Sequence, residues 1–261
     1  MGGEKKMATI KILGTAGARY VVAKQLRSSA GTYIEHEGAR LIMDPGPGTL
    51  VRMASARPRL DVEKLNGLIL THTHLDHSND VNILIDGLTE GGLKKRGVLF
   101  APKECLEGET AVVLKYLRPY LKDIQTLRPE ASYRIGNISF KTSCRHYHTA
   151  ETYGLIFELG SKRVGFVVDT LFFPGLIDCY RECQILILNV VRYKPHPSPN
   201  VQHLCVRDVE EILEKIRPEK AILTHFGMTM IRARPHQVAA KLSRKLNLEV
   251  IAAYDGLTLE V

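Results

Sequence analysis

The stretch that most constrains this chain reads Leu70-Thr71-His72-Thr73-His74-Leu75-Asp76-His77-Ser78-Asn79-Asp80 and follows the apolar residues 67–70. Side chains alternate along an extended segment, so His72 and His74 point the same way, while Asp76 and His77 follow on a turn that can direct them to a second ion. Imidazole nitrogens and carboxylate oxygens suit zinc and its first-row neighbours. A solvated polar loop is the alternative, but five ligand-type side chains at this density favour a metal site.

Length and composition indicate an ordinary globular protein. The 261 residues are 44% hydrophobic and 25% charged, and we expect a single domain over residues 1–261. No apolar run approaches the roughly 18 residues that a membrane span requires, so we expect a soluble protein without membrane contact. The first seven residues contain no apolar leader, and we therefore expect a cytoplasmic location.

The five cysteines are odd in number and scattered along the chain: Cys105, Cys144, Cys179, Cys183 and Cys205. This pattern argues against a disulfide framework and for buried thiols in a reducing compartment. Cys179 and Cys183 could share a helix face, but no CxxC pair accompanies them, so the pattern does not favour structural zinc.

The chain is basic, with a net charge of +8 and a pI near 9.2. A positive field raises the local concentration of anionic ligands, which favours a phosphate-bearing small molecule or a nucleic acid as partner. A charge of this size is also compatible with a merely solubilising surface.

Hydrophobic periodicity predicts an alternation of strands and helices. The predicted strands are residues 8–14, 32–37, 39–43, 65–70, 97–101, 138–143, 153–159, 163–168, 185–190, 221–224, 249–254 and 258–261, the last two as a hairpin. The predicted helices are residues 49–57, 79–88, 107–121 and 235–246, and one more after His203 with an apolar stripe from Val209 to Ile216. Strands that alternate with single helices indicate an α/β layered domain. Residues 15–31 either border a site or form a plain surface connection.

Side chains that can bind metals follow several of these predicted strands. Asp44 ends one strand, His146 and His148 follow another, and Asp169 and His225 each follow a further one. Asp44 can orient metal ligands from outside the ligand set, although a turn-forming Asp is the simpler reading. Their shared position after strands predicts that distant residues meet at one sheet edge.

This pattern resembles the metallo-β-lactamase superfamily over most of the chain. The resemblance is carried by Asp44, by the signature from His72 to His77, and by the later strand ends at His148, Asp169 and His225. It implies a four-layer αββα sandwich with a metal centre at one edge of the two sheets.

The resemblance also implies a ligand set for two divalent transition-metal ions, zinc or else manganese or iron. His72, His74 and His148 would hold one ion, Asp76, His77 and His225 the other, and Asp169 would bridge them. Asp76 would also take part in catalysis. His146 is two residues from His148 on the same side of an extended chain, but the run from His148 to Gly154 looks like the family's third motif. Asp44 would then support the ligands from outside, and His146 would either do the same or lie at the surface.

The segment from His203 to His225 looks like the ribonuclease Z and small-phosphodiesterase branch, whose extra histidine contacts the scissile phosphate or protonates a leaving oxygen. His203 would take that catalytic role; without the resemblance it reads as a polar helix-start residue. Only 21 residues separate His148 from Asp169, which leaves no room for the tRNA-gripping arm of ribonuclease Z. The resemblance therefore favours a small or cyclic phosphodiester over tRNA 3′ processing.

Two such ions would lower the pKa of a shared water from about 15.7 to near 7, so a hydroxide would be the nucleophile. The rivals are hydrolysis of a lactone, thioester or amide at the same centre, a mononuclear iron oxidoreductase, and a non-catalytic nucleic-acid-binding protein. A homodimer is compatible with each.

Overall fold

The computed structural model describes residues 7–29 and 31–261. Residues 1–6, on which the expected absence of a leader largely rests, lie outside these ranges. The strands of the described chain are β1 (Thr9–Ile12), β2 (Thr32–His36), β3 (Ala39–Met43), β4 (Gly67–Ile69), β5 (Val98–Ala101), β6 (Asp123–Thr126), β7 (Ser132–Ile135), β8 (Ile138–Arg145), β9 (Tyr153–Leu159), β10 (Lys162–Val167), β11 (Ile185–Asn189), β12 (Lys220–Thr224), β13 (Glu249–Ala252) and β14 (Leu257–Glu260).

The helices of the described chain are mostly short. They are α1 (Ala18–Ala23), α2 (Thr49–Ser55), α3 (Leu75–Ser78), α4 (Val81–Leu88), α5 (Lys103–Leu106), α6 (Gly175–Tyr180), α7 (Val206–Ile216), α8 (Met228–Arg232) and α9 (Pro235–Leu246). Two 3₁₀ turns, Val62–Lys64 and Lys115–Tyr120, complete the set. Among these helices, none combines the length and the hydropathy that crossing a bilayer requires.

The strands form two mixed sheets of seven. The first sheet has the order β14-β1-β2-β3-β4-β5-β6 and the second the order β13-β12-β11-β10-β9-β8-β7. Strands β3 to β6 run parallel in the first sheet, and β10 to β13 run parallel in the second. The remaining pairs in each sheet are antiparallel.

Three clusters of buried apolar side chains separate four layers. Ile12 of the first sheet and Phe157 of the second belong to the cluster between the sheets. Leu84 of α4 belongs to the cluster on the outer face of the first sheet, and Ile212 of α7 to the cluster on the outer face of the second. Burying each such side chain contributes about 1.5–3 kcal/mol. The predicted α/β fold, a four-layer αββα sandwich, is confirmed.

The predicted hairpin at the end of the chain is wrong. Strand β13 pairs with β12 in the second sheet, whereas β14 pairs with β1 in the first. Between them, the Asp255 carboxylate accepts hydrogen bonds from the backbone N–H and hydroxyl of Thr15 and from the backbone N–H of Ser28. These bonds hold the turn against the first sheet, so the chain crosses from one sheet to the other.

The predicted helix over residues 107–121 is also wrong. Helix α5 ends before this segment, which is irregular as far as the 3₁₀ turn Lys115–Tyr120. Gly108 has a φ of 84°, in the left-handed region, and Pro119 lies inside the 3₁₀ turn; both oppose a continuous α-helix. The next strands, β6 and β7, were not predicted, because each has only four residues, too few for a clear periodicity.

The expectation that all five cysteines are free thiols is wrong for two of them. Cys144 on β8 and Cys179 on α6 form a disulfide, with their Cα atoms 6.3 Å apart. Cys105, Cys183 and Cys205 are free and buried, as expected. The pairing depends on contact between β8 and α6, 35 residues apart in sequence, which spacing alone does not reveal.

Candidate metal centre

The candidate site lies at one edge of the sandwich, where strands of both sheets end. Asp44 follows β3, residues 72–77 follow β4, His148 follows β8, Asp169 follows β10 and His225 follows β12. Strands β3 and β4 are parallel neighbours in the first sheet, and β10 to β12 are parallel neighbours in the second, so each group ends at one edge of its sheet. The carboxyl edge of parallel strands is the usual place for a site in such folds.

A first cluster draws its members from both sheets. His72, His74, His148 and Asp169 each offer one ligand atom, and these four atoms lie within 4.8 Å of one another. His148 Nε2 is 3.1 Å from His74 Nδ1. His72 and Asp169 are each almost fully buried, whereas His74 and His148 are half-buried and lead to the surface.

A second cluster lies beside the first and contains Asp76, His77 and His225. His225 Nε2 is 3.3 Å from His77 Nε2 and 3.5 Å from Asp76 Oδ2. Asp169 reaches this cluster too, with Oδ1 3.4 Å from His225 Nε2 and Oδ2 3.6 Å from His77 Nε2. Asp169 therefore stands between the two clusters.

Asp44 lies outside both clusters and fixes the orientation of two of their histidines. It accepts hydrogen bonds from the Thr71 backbone N–H, the Thr71 hydroxyl and His77 Nδ1, at 2.7, 2.7 and 2.9 Å. Because the Thr71 hydroxyl donates to Asp44, it can only accept from His72 Nδ1, 3.1 Å away. Both histidines thus carry a proton on Nδ1 and turn Nε2 toward the clusters.

Further contacts outside the clusters were not foreseen from the sequence. Asn189 Nδ2 donates to Asp169 Oδ1 at 2.9 Å, and His148 Nδ1 donates to the Gln202 carbonyl at 3.0 Å. Asn189 is the last residue of β11, so the rule that site residues end strands could have found it. The Gln202 carbonyl is backbone, and no side-chain pattern points to it.

His146 is not part of either cluster. Its buried ring has Nδ1 3.3 Å from the Asp169 carbonyl and Nε2 2.9 Å from the Tyr180 hydroxyl. A Cβ at Gly154 would lie 1.7 Å from that hydroxyl and 2.8 Å from the His146 ring, so only glycine fits there. His146 therefore supports the backbone of Asp169, whereas the His148 side chain lies in the first cluster.

His203 stands at the edge of the clusters. Its Nδ1 lies 3.5 Å from Asp169 Oδ2, and its ring centroid is 5.3 Å from that of His148. This nitrogen is buried and has no hydrogen-bond partner among the described residues. Burial lowers the pKa of His203, so its ring is mostly neutral at neutral pH.

Burial also keeps the three histidines of the first cluster neutral. It lowers the pKa of His72 well below the usual value and lowers the pKa of His74 and His148 as well. A histidine binds a metal ion as the neutral imidazole, so these three side chains are in the required state at neutral pH without losing a proton.

In the second cluster, neighbouring charges outweigh the effect of burial on the pKa values. Burial acts to lower the pKa of His77, but the carboxylates of Asp44 and Asp76 outweigh it and raise that pKa well above the usual value. Burial acts to raise the pKa of Asp169, yet neighbouring His225 and His203 hold it well below its usual range. Buried carboxylates here demand positive charge, which a cation can supply in place of a proton.

One observation tests directly whether these residues fit a metal ion. The Nε2 atom of His72 is buried, carries the lone pair and has no hydrogen-bond partner in the described chain. Buried polar atoms are normally paired, so an atom of this kind indicates a missing partner. The nitrogen and oxygen donors around it suit a divalent transition-metal ion.

The segment between β1 and β2 borders this site. Gly17 donates its backbone N–H to the Phe226 carbonyl, and a Cβ on Gly17 would lie 2.2 Å from the His225 carbonyl oxygen. Helix α1 begins directly after it and lies against α3, which carries Asp76 and His77. The sequence left open whether residues 15–31 border a site or form a plain surface connection. The described part of this segment borders the site.

Comparison with known proteins gives a consistent result. Residues 39–226 match the family model described as beta-lactamase superfamily domain. The chain is 31% identical over 259 residues to the uncharacterized protein MJ1374 of Methanocaldococcus jannaschii, with 97% of this chain and 94% of that protein covered. The metallo-beta-lactamase fold protein YhfI from Bacillus subtilis has a TM-score of 0.81 at 18% identity, covering 98% of this chain and all of that one. A diphosphatase from the PhnP family has a TM-score of 0.70 at 22% identity, with 98% of each chain covered.

Proposed function

Because the chain belongs to the beta-lactamase superfamily, as the match over residues 39–226 shows, we propose that it is a phosphodiesterase that uses two divalent metal ions. The superfamily and its fold support a metal-dependent hydrolase. The preference for a phosphodiester goes further and rests on the geometry of His203 at the edge of the two clusters.

In this proposal seven side chains hold the ions. His72, His74 and His148 bind one ion, Asp76, His77 and His225 bind the other, and Asp169 contacts both. Convergence of these ligand atoms, within 4.8 Å in each cluster, supports the assignment. The mixture of imidazole and carboxylate favours zinc, with manganese or iron as the alternatives.

When bound, two such ions supply an activated water and polarise the phosphoryl oxygens. The residues of the chain then bind and orient the substrate. Asp76, whose side chain is 20% exposed against 2% for Asp169, faces the substrate side and accepts the proton of the attacking water. His203, 18% exposed, donates an N–H hydrogen bond to the phosphate or its leaving oxygen.

Two further observations support an anionic substrate. The chain carries a net charge of +8, which favours phosphate-bearing ligands. The similar PhnP-family protein is a diphosphatase.

The described chain also contains no arm between His148 and Asp169, where β9 and β10 form a direct hairpin. We therefore favour a small or cyclic phosphodiester over tRNA. A cytoplasmic location and a homodimer stay predictions.

The experiment compares purified protein of measured metal content on bis-p-nitrophenyl phosphate, cyclic nucleotides, a lactone and a thioester. We expect close to two ions per chain and turnover of a phosphodiester. His203→Ala should lower kcat/KM about 100-fold with metal content unchanged, because it removes one hydrogen bond to the reacting group. The control, His236→Ala, removes an exposed histidine on α9 and should have no effect.

His74→Ala should lose both an ion and activity. Turnover of the lactone or thioester alone would overturn the phosphodiester assignment, and full activity without metal would overturn the mechanism.

A further inference from the structure

A pocket of about 240 Å³ lies on the outer side of the first sheet, and its lining shares no residue with the two clusters. It is formed by β1, the end of α2 and the turn before β14. Its lining residues are Lys11, Leu13, Arg52, Ser55, Ala56, Arg57 and Gly256. Three of them are cationic and none is acidic. A water occupies about 30 Å³ in the liquid, so the volume is ample for a tetrahedral anion with several waters.

Lys11 is the most unusual of the three cations because it is 9% exposed. Its Nζ donates to the Thr258 hydroxyl at 2.6 Å and to the Arg57 carbonyl at 3.4 Å, which are both neutral acceptors. Burying an ammonium group is costly unless it is paired with a negative charge. Within residues 7–29 and 31–261, no carboxylate oxygen lies within 4.0 Å of Lys11, Arg52 or Arg57.

The two guanidinium groups keep donors available. Arg52 uses Nε to bind the Leu13 carbonyl at 3.1 Å, and its Nη2 lies 3.7 Å from the position that a Cβ on Gly256 would take. Arg57 uses Nη1 to bind the carbonyls of Ser55 and Ala56 at the end of α2. The other N–H groups of both side chains have no partner in the described chain.

From this arrangement we infer that the pocket binds a phosphate group through Lys11, Arg52 and Arg57. Two guanidinium forks and one ammonium match the geometry and charge of a tetrahedral oxyanion. The ligand relieves the repulsion among three like charges that the fold otherwise leaves unpaired. The phosphate belongs either to a free anion or to the backbone of a nucleic acid.

The test is calorimetric titration of the metal-loaded protein with inorganic phosphate at constant ionic strength. The variant Arg52→Gln/Arg57→Gln is compared with Arg232→Gln/Arg244→Gln, which removes the same charge from exposed positions on α8 and α9. Wild type and control should share a binding step that the pocket variant weakens by at least about tenfold, the size expected for losing charged hydrogen bonds. Identical isotherms for all three proteins would overturn the inference.

Arg52→Gln breaks a bond to the Leu13 carbonyl, so Arg57→Gln alone serves as a second variant. Its exposed side chain bonds only to nearby carbonyls of its own segment, and it should weaken the same step about threefold. No change in this variant would likewise count against the site.

A second arm separates the two sources of the phosphate and rests on the proposed function. If a nucleic-acid backbone is the occupant, the pocket variant should raise KM for a short oligonucleotide but not for bis-p-nitrophenyl phosphate. If a free anion is the occupant, both KM values stay unchanged while the phosphate binding step is still lost. Retention of that step with an unchanged KM for the oligonucleotide refutes the pocket while leaving the proposed phosphodiesterase intact.

Discussion

The disulfide between Cys144 and Cys179 should contribute a large part of the stability of this protein. It ties the end of β8 to α6 and closes a loop of 35 residues. That loop contains His146, His148 and Asp169, so the bond restrains the strand ends that carry two predicted ligands. The perturbation is Cys144→Ser/Cys179→Ser, or reduction of the wild type.

The magnitude follows from the length of the closed loop. In the chain-entropy model, a loop of this size removes about 13 cal/mol/K from the unfolded chain, or roughly 4 kcal/mol at 25 °C. Native domains are stable by only about 5–15 kcal/mol, so the loss is a large fraction of the total. For a chain of this length, 4 kcal/mol corresponds to a fall in Tm of roughly 10 °C.

The assay is urea unfolding with and without reductant, together with thiol titration. Burial raises the pKa of Cys183 to about 12 and also raises the pKa of Cys105 and Cys205, so the folded oxidised protein should react slowly. After unfolding, three thiols should react without reductant and five with it.

The double variant serves as its own control, because reductant should no longer change its midpoint. Five thiols in the unreduced, unfolded wild type would refute the disulfide. A loss of less than about 1 kcal/mol in the double variant would refute the loop-entropy reasoning.

Three other predictions follow from contacts near the site. Gly154→Ala places a Cβ 1.7 Å from the Tyr180 hydroxyl and should cost about 3 kcal/mol in urea unfolding, whereas Gly175→Ala, with its nearest neighbour at 3.5 Å, should change stability by less than about 0.5 kcal/mol. Asp44→Asn keeps a residue that tolerates its left-handed backbone, with φ at 51°, but should weaken metal affinity about 10- to 100-fold in chelator competition; unchanged affinity contradicts this. Burial lowers the pKa of His146 to about 4 in the folded protein, against about 6.5 in the unfolded chain. As the pH falls, the unfolded chain therefore binds the proton first. The free energy of unfolding should decrease by about 3 kcal/mol between pH 7 and pH 4. His146→Gln in metal-free protein should lose this part of the pH dependence, and an unaltered slope would contradict it.

The sequence predicted the strands and the longer helices better than the shortest helices. Strand β3 and helix α9 occur at their predicted bounds, because each has a clear periodicity and a turn or proline at its start. The helices of four to six residues, α1, α3, α5, α6 and α8, were not predicted. Isolated segments of this length are not stable helices, so only their tertiary contacts make them helical.

The sequence also predicted some of the contacts at the candidate site but not others. Placement after strands predicted that Asp44, Asp169 and His225 would meet, because parallel strands end together. The contacts of the Gln202 carbonyl and the Tyr180 hydroxyl depend on which elements lie side by side, which the sequence pattern does not show. The assignment of all seven ligands stays a prediction until metal content is measured.

Each of the two clusters combines side chains from both sheets. His72 and His74 meet His148 and Asp169 in one, and Asp76 and His77 meet His225 in the other. Ions bound there would cross-link the two sheets. Removing them with a chelator would therefore speed amide hydrogen exchange along the interface between the sheets. Because each cluster needs side chains from both sheets, metal that stays bound through purification would indicate that the two sheets are packed as in the native fold.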